Sequence, residues 1–151
     1  MLFNSSDLKS TKRLTSVIGR NLRGGETIEL ISDVGGGKTT LVKSMVLAAG
    51  SQDFVSSPSF TIRNDYSFNG GSIAHFDFYR LTDPGIIKDM LAEEIANPKA
   101  VVIIEWSRIV QDVLPKDRVV INIKVTGLDS RHISIDAPPE FAYLLKGEPL
   151  K

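Results

Sequence analysis

The sequence predicts an α/β fold, three layers deep, on a mixed and mainly parallel central sheet with antiparallel hairpins. Three observations carry that expectation. An apolar run, Thr27 to Ile31, feeds a glycine-rich turn that opens straight into a helical pattern. A second run, Ala100 to Ile104, is apolar at every position, as suits a strand buried on both faces. Two β patterns meet across Asn69-Gly70-Gly71, a strong hairpin signal, and hairpin strands are antiparallel.

The elements follow in chain order. The first few residues fit a short edge strand. Ser6 or Asp7 can cap a helix to about Leu22, with Leu14, Val17, Ile18 and Leu22 at helical spacing and Gly24-Gly25 as its stop. After the strand at Thr27 comes a helix from Lys38 to Ala49, apolar on much of its circumference (Leu41, Val42, Met45, Val46, Leu47), which predicts burial against the sheet. A polar loop leads to strands over Phe60–Tyr66 and Ser72–Tyr79. Asp83-Pro84 starts a helix expected to bury a stripe of Ile86, Ile87, Met90, Leu91 and Ile95 beside an acidic Glu93-Glu94 shoulder. Asn97-Pro98 breaks it. The central strand from Ala100 ends at Glu105-Trp106, and a short helical segment precedes Leu114-Pro115. Arg118–Val125 alternates as a strand, Arg131–Ile135 returns, and Pro138-Pro139 leads to a short helix over Glu140–Leu145.

Composition narrows the function classes. At 151 residues, the span 1–151 reads as one domain with a substantial core. Eighteen basic and eighteen acidic side chains cancel, so no strong basic field can grip nucleic acid through phosphates alone. A role around RNA would run through a partner or a local patch. The absence of cysteine excludes disulfides, thiolate metal sites and a cysteine nucleophile. No basic-then-apolar leader and no apolar run of membrane-spanning length stand in the sequence, so the expectation is a cytoplasmic protein with no membrane role.

The turn Asp33-Val34-Gly35-Gly36-Gly37 before Lys38-Thr39-Thr40 has the strand–loop–helix context of a phosphate-binding P-loop, which makes the expected fold P-loop NTPase-like. Glycines reach positive φ at little cost, so successive N–H groups can face one concavity. The helix adds its own unpaired N–H groups and the positive end of its dipole. Lys38 supplies a cation for β- and γ-phosphates, and the Thr39 hydroxyl a hard oxygen for Mg²⁺. The usual pattern begins with glycine, where this chain has Ser32.

Ligands of open α/β sheets bind at the carboxyl ends of strands, and two carboxylates fall there, Asp77 and Glu105. Either can serve the metal or orient a water; equally, Asp77 can pair with Arg80, and Glu105 can mark a strand end in solvent. Trp106 reads as a packing aromatic or as a reporter on the nucleotide. His75 reads as a packed or hydrogen-bonded histidine rather than a ligand. Ser56-Ser57-Pro58-Ser59-Phe60-Thr61 is either a switch that senses the γ-phosphate or a capped surface loop.

Taken together, these runs resemble the TsaE (YjeE) family, the small P-loop ATPases of bacterial tRNA threonylcarbamoyladenosine synthesis. The resemblance spans nearly the whole chain: Ser32–Leu41, then Val55–Thr61, then His75-Phe76-Asp77-Phe78-Tyr79-Arg80-Leu81, Glu105-Trp106, and Arg131 opening the last strand. It implies ATP held by Asp33 to Thr40, Mg²⁺ held by Thr39 and Glu105, and hydrolysis that needs Asp77. It implies that Arg131 and the first helix near Thr11 border the nucleotide, and that Ser59, Thr61 and Trp106 act in switching or coupling. It further implies action with a TsaB–TsaD complex, through which tRNA is met, and an ATPase weak alone and activated in that assembly. The family usually has glycine at Ser32, threonine at Ser59 and proline at Ser107. Ser59 keeps the hydroxyl, and Ser107 is expected only to loosen the turn after Trp106. Two other classes remain open: a small-molecule kinase, although Arg108, Arg118 and Arg131 are dispersed rather than gathered in a lid, and a nucleotide-dependent scaffold.

Overall fold

The computed structural model describes residues 1–147. Its elements run β1 (Leu2–Ser5), α1 (Leu8–Asn21), β2 (Thr27–Ser32), α2 (Lys38–Ala48), β3 (Arg63–Phe68), β4 (Gly71–Asp77), α3 (Ile87–Ala96), β5 (Ala100–Glu105), β6 (Val119–Val125) and β7 (Arg131–Asp136), with 3-10 helices at Ser107–Val110 and Pro139–Leu145. The strands form one sheet in the order β1-β7-β6-β2-β5-β4-β3. The four central strands, β6, β2, β5 and β4, run parallel, and antiparallel pairs close both sides: β7 and β1 on one, β3 on the other.

Strand alternation divides the core between two faces. On one, Ile28, Leu30, Ile73, Val101, Ile103, Ile121 and Ile133 meet α1, α2 and the last 3-10 helix. α1 begins where the Asp7 carboxylate accepts the Ser10 N–H at 2.6 Å, a side-chain cap on an otherwise orphaned donor. α1 and α2 pack closely because position 19 is glycine; a Cβ there would lie 2.3 Å from the Met45 carbonyl oxygen. On the other face Ala74, Phe76, Val102 and Ile104 meet α3 and the 3-10 helix at Ser107. That layer is thin and does not extend over β6, where Asn122 and Lys124 alternate outward into solvent.

Three sequence expectations change. The strand expected from Phe60 starts at Arg63, because Ile62 adopts φ 68°, a left-handed conformation that β-branched residues rarely enter and that interrupts extended pairing. The α3 stripe is only partly covered: Leu91 is buried, while Ile86, just before the helix, is 75% exposed. Ser107 does more than loosen a turn, since its hydroxyl donates to Glu29.

Glu29 sits on β2, buried on the α3 side. Burial pushes its carboxyl upward, but donation from Ser107, Arg118 and Gln111 outweighs that and holds it below the usual carboxylate range. Arg118 Nε lies 2.7 Å from one oxygen and Gln111 Nε2 2.8 Å from the other. The network ties β2 to the segment that follows Glu105. A carboxylate whose folded pKa is depressed stabilises the protein above its unfolded pKa, and the contribution disappears as pH falls through the folded value. Arg118→Met should therefore lower unfolding free energy by about 3 kcal/mol at neutral pH, the cost of leaving a buried charge without its ion partner. Urea denaturation should show the gap to wild type narrowing as pH falls below the ordinary carboxylate range and through the depressed folded value, where the wild-type carboxylate also takes up its proton.

Candidate functional site

The register of the parallel strands assembles the site. Leu30 of β2 pairs with Glu105 of β5, and Glu105 pairs with Asp77 of β4. The three strand ends thus lie side by side, with the glycine loop continuing from β2. A cavity of about 410 Å³ opens there, walled by Val34 to Thr39 on one side and by Asp77, Glu105, Trp106 and the Ser57–Phe60 loop on the other.

Two of the three loop glycines have the positive φ expected of them, and the N–H of the third turns inward to the loop itself. Gly35 and Gly37 take φ of 76° and 93°, and Gly37 is the residue from which α2 starts. The Gly36 N–H closes a turn onto the Asp33 carbonyl at 3.1 Å. Lys38 is buried, its Nζ 3.3 Å from the Asp33 carbonyl oxygen and 4.6 Å from the centre of the Trp106 ring. Trp106 reaches this position from a left-handed backbone at φ 55°, which turns the chain sharply out of β5. Tyr79 also packs against the indole, with ring centres 4.9 Å apart. A bulky residue held in that region is a strained conformation of the kind found at functional sites.

The carboxylates differ in their surroundings. Asp77 accepts the Ser59 hydroxyl at 2.8 Å and the Tyr79 N–H at 2.9 Å, and it makes no ion pair with Arg80, which instead lies over Phe60 at 4.0 Å. Glu105 is buried and takes one hydrogen bond, from His75 Nε2 at 2.8 Å. An ionised carboxylate only accepts, so in this pair Nε2 is the donor. Nδ1 has no hydrogen-bond partner among the described residues. His75 therefore orients Glu105 and leaves the carboxylate's other oxygen toward the cavity.

The sequence-predicted residues divide by position. Val34, Gly35, Gly36, Gly37, Lys38, Thr39, Ser59, Asp77, Glu105 and Trp106 converge on the cavity. Asp33 contributes its backbone carbonyl, while its side chain is exposed. Arg131 lies against the loop from outside, with Nε 3.4 Å from the Gly36 carbonyl oxygen. Thr40 faces a neighbouring depression of about 270 Å³ with Leu8, Lys12 and Lys43. Thr11 is buried under that region, sharing a hydrogen bond with Ser5 at 2.6 Å, and does not line the cavity. Thr61 turns away to Asn64, at 2.8 Å. Tyr79, Phe60 and Arg80 also form the wall; Tyr79 and Phe60 had no role of their own in the sequence reading, and Arg80 only that of an ion partner for Asp77.

Among the described residues no group of three His, Cys, Asp or Glu side chains could hold a metal by itself. One hydroxyl and one or two carboxylates beside a phosphate loop do fit Mg²⁺, which keeps waters and takes phosphate oxygens rather than an all-protein cage. No helix among these residues is long and apolar enough to cross a membrane.

Comparison with known proteins agrees with this arrangement. A family model described as "Threonylcarbamoyl adenosine biosynthesis protein TsaE" matches residues 5–133. A Haemophilus influenzae protein named tRNA threonylcarbamoyladenosine biosynthesis protein TsaE is 37% identical over 110 residues, covering 73% of this chain and 69% of that one. The Bacillus subtilis protein of the same name is 31% identical over 134 residues, 89% of this chain and 82% of its own. The crystal structure of Bacillus subtilis YdiB superposes with a TM-score of 0.76 at 25% identity, over 95% of this chain and 90% of that one. With a family match that runs from β1 into β7 and takes in every wall of the cavity, the chain belongs to the TsaE family.

Proposed function

We propose that this chain is a single-domain, Mg²⁺-dependent ATPase that serves threonylcarbamoyladenosine modification of tRNA. The observation that carries the reading is the meeting of a phosphate loop and two carboxylates from separate strands around one cavity. The names of its relatives place them in that biosynthesis. The loop N–H groups and Lys38 bind the β- and γ-phosphates, Thr39 and Glu105 hold the metal, and His75 fixes Glu105. Bound Mg²⁺ would neutralise charge on the β- and γ-phosphate oxygens. Asp77, held by Ser59 and Tyr79, orients the attacking water and takes up its proton. Arg131 braces the loop from the opposite side.

The reading includes a cytoplasmic protein that works with a TsaB–TsaD complex and meets tRNA through it. Balanced charge supports this, because eighteen basic and eighteen acidic side chains leave no net positive charge with which to grip tRNA. The Ser56–Thr61 loop acts as the switch through Ser59, whose hydroxyl already touches Asp77.

Calorimetry with Mg²⁺ and ATP tests the site. Lys38→Ala should weaken binding about tenfold or more, the scale of a lost hydrogen bond to a charged group. Asp77→Ala should keep ATP affinity within a few-fold yet reduce phosphate release about a hundredfold, the scale of lost general-base assistance. Unchanged release in Asp77→Ala would instead support a role that needs binding alone. His75→Leu should lower unfolding free energy by about 1–3 kcal/mol in urea, by leaving the buried Glu105 oxygen without its donor.

A further inference from the structure

Ser32, the last residue of β2, sends its hydroxyl into the loop rather than away from it. The hydroxyl donates to the Asp33 carbonyl at 2.7 Å, which leaves its lone pairs free to accept. Lys38 Nζ lies 3.3 Å from this oxygen, 3.3 Å from the Asp33 carbonyl oxygen and 3.5 Å from the Ser32 carbonyl oxygen. An ammonium has three N–H donors, and here each has an oxygen to meet. The Trp106 ring covers the same group, so the amine is enclosed by oxygens below and an indole above. Gly36 shows how far inward the hydroxyl reaches: a Cβ at that position would lie 1.8 Å from Ser32 Oγ.

We propose that Ser32 is a positioning residue whose hydroxyl competes with the β- and γ-phosphate oxygens of ATP for the Lys38 ammonium. The inference rests on the nucleotide-binding reading above. With glycine at this position the lysine keeps the two carbonyl contacts and has a donor to spare for phosphate. With serine it must give up a contact first. Its contacts at 3.3–3.5 Å are long, so the opposition is modest and binding is weakened rather than abolished.

The test compares wild type with Ser32→Ala and Ser32→Gly by calorimetry with ATP and Mg²⁺. Ser32→Ala removes the acceptor while keeping a Cβ, which separates the hydroxyl from backbone freedom. Both variants should bind about threefold to tenfold more tightly, the range expected for one hydrogen bond. A second readout reports on the lysine itself. Trp106 is the chain's one tryptophan, so its emission follows the ammonium that lies over it. Ser32→Ala should shift that emission in protein without added nucleotide, and the shift should vanish when Lys38→Met is combined with it. Equal or weaker ATP binding by Ser32→Ala, beside a wild type that does bind, would overturn the inference and leave the ATPase reading standing. Binding by neither wild type nor variant would remove the ATPase reading and this inference with it.

Discussion

Parallel pairing of β2, β5 and β4 is the constraint on which the site depends. Leu30, Glu105 and Asp77 lie at one level because the backbone ladders align them. Side chains alternate along a strand, so a slip of one residue would send Glu105 to the α3 face and bring Ile104 to the loop. The apolar residues between these positions prevent that slip. Val101 and Ile103 fill one core, Val102 and Ile104 the other, and neither set can change places without exposing buried surface. Core packing on two faces thereby positions a polar site that contributes little packing of its own.

Three buried glutamates show how the same residue serves architecture or chemistry according to its partners. Glu26 accepts the N–H groups of Arg23 and Gly24 and the Tyr143 hydroxyl, joining the start of β2 to the C-terminal 3-10 helix. Burial and the Glu26 charge push the Tyr143 hydroxyl well above its usual range, which keeps it a donor. Glu29 has Ser107, Gln111 and Arg118. Among the described residues Glu105 has His75 alone, and it faces a cavity. The first two carboxylates brace the strand that carries the loop, whereas the third lines the cavity.

Much of this was legible in the chain. The β2–loop–α2 unit, the buried β5 run and the hairpin across Asn69-Gly70-Gly71 are local patterns, and local patterns survive folding. Glu105 could be placed at a strand end because an apolar run stops at it, whereas the strand carrying Asp77 was expected to run on to Tyr79 and instead ends at Asp77. What could not be read depends on long-range placement or on unusual dihedrals. Nothing around Ile62 announces a left-handed turn, so β3 starts three residues later than alternation suggests. The α3 stripe has the periodicity of a buried helix, but the layer it joins is too thin to cover it. The partner of His75 lies 30 residues away in sequence, and Thr11 faces Ser5 rather than the cavity.

The contact between Ser32 and Gly36 makes the two positions contingent on each other. With serine at 32, any side chain at 36 collides with its hydroxyl. Replacement of that serine by glycine removes the collision, leaving the 3.1 Å approach to the Asp33 carbonyl oxygen as the remaining obstacle. The room for a side chain at 36 is therefore set in part by the residue at 32, and a loop that looks uniformly glycine-rich has positions whose variation is coupled.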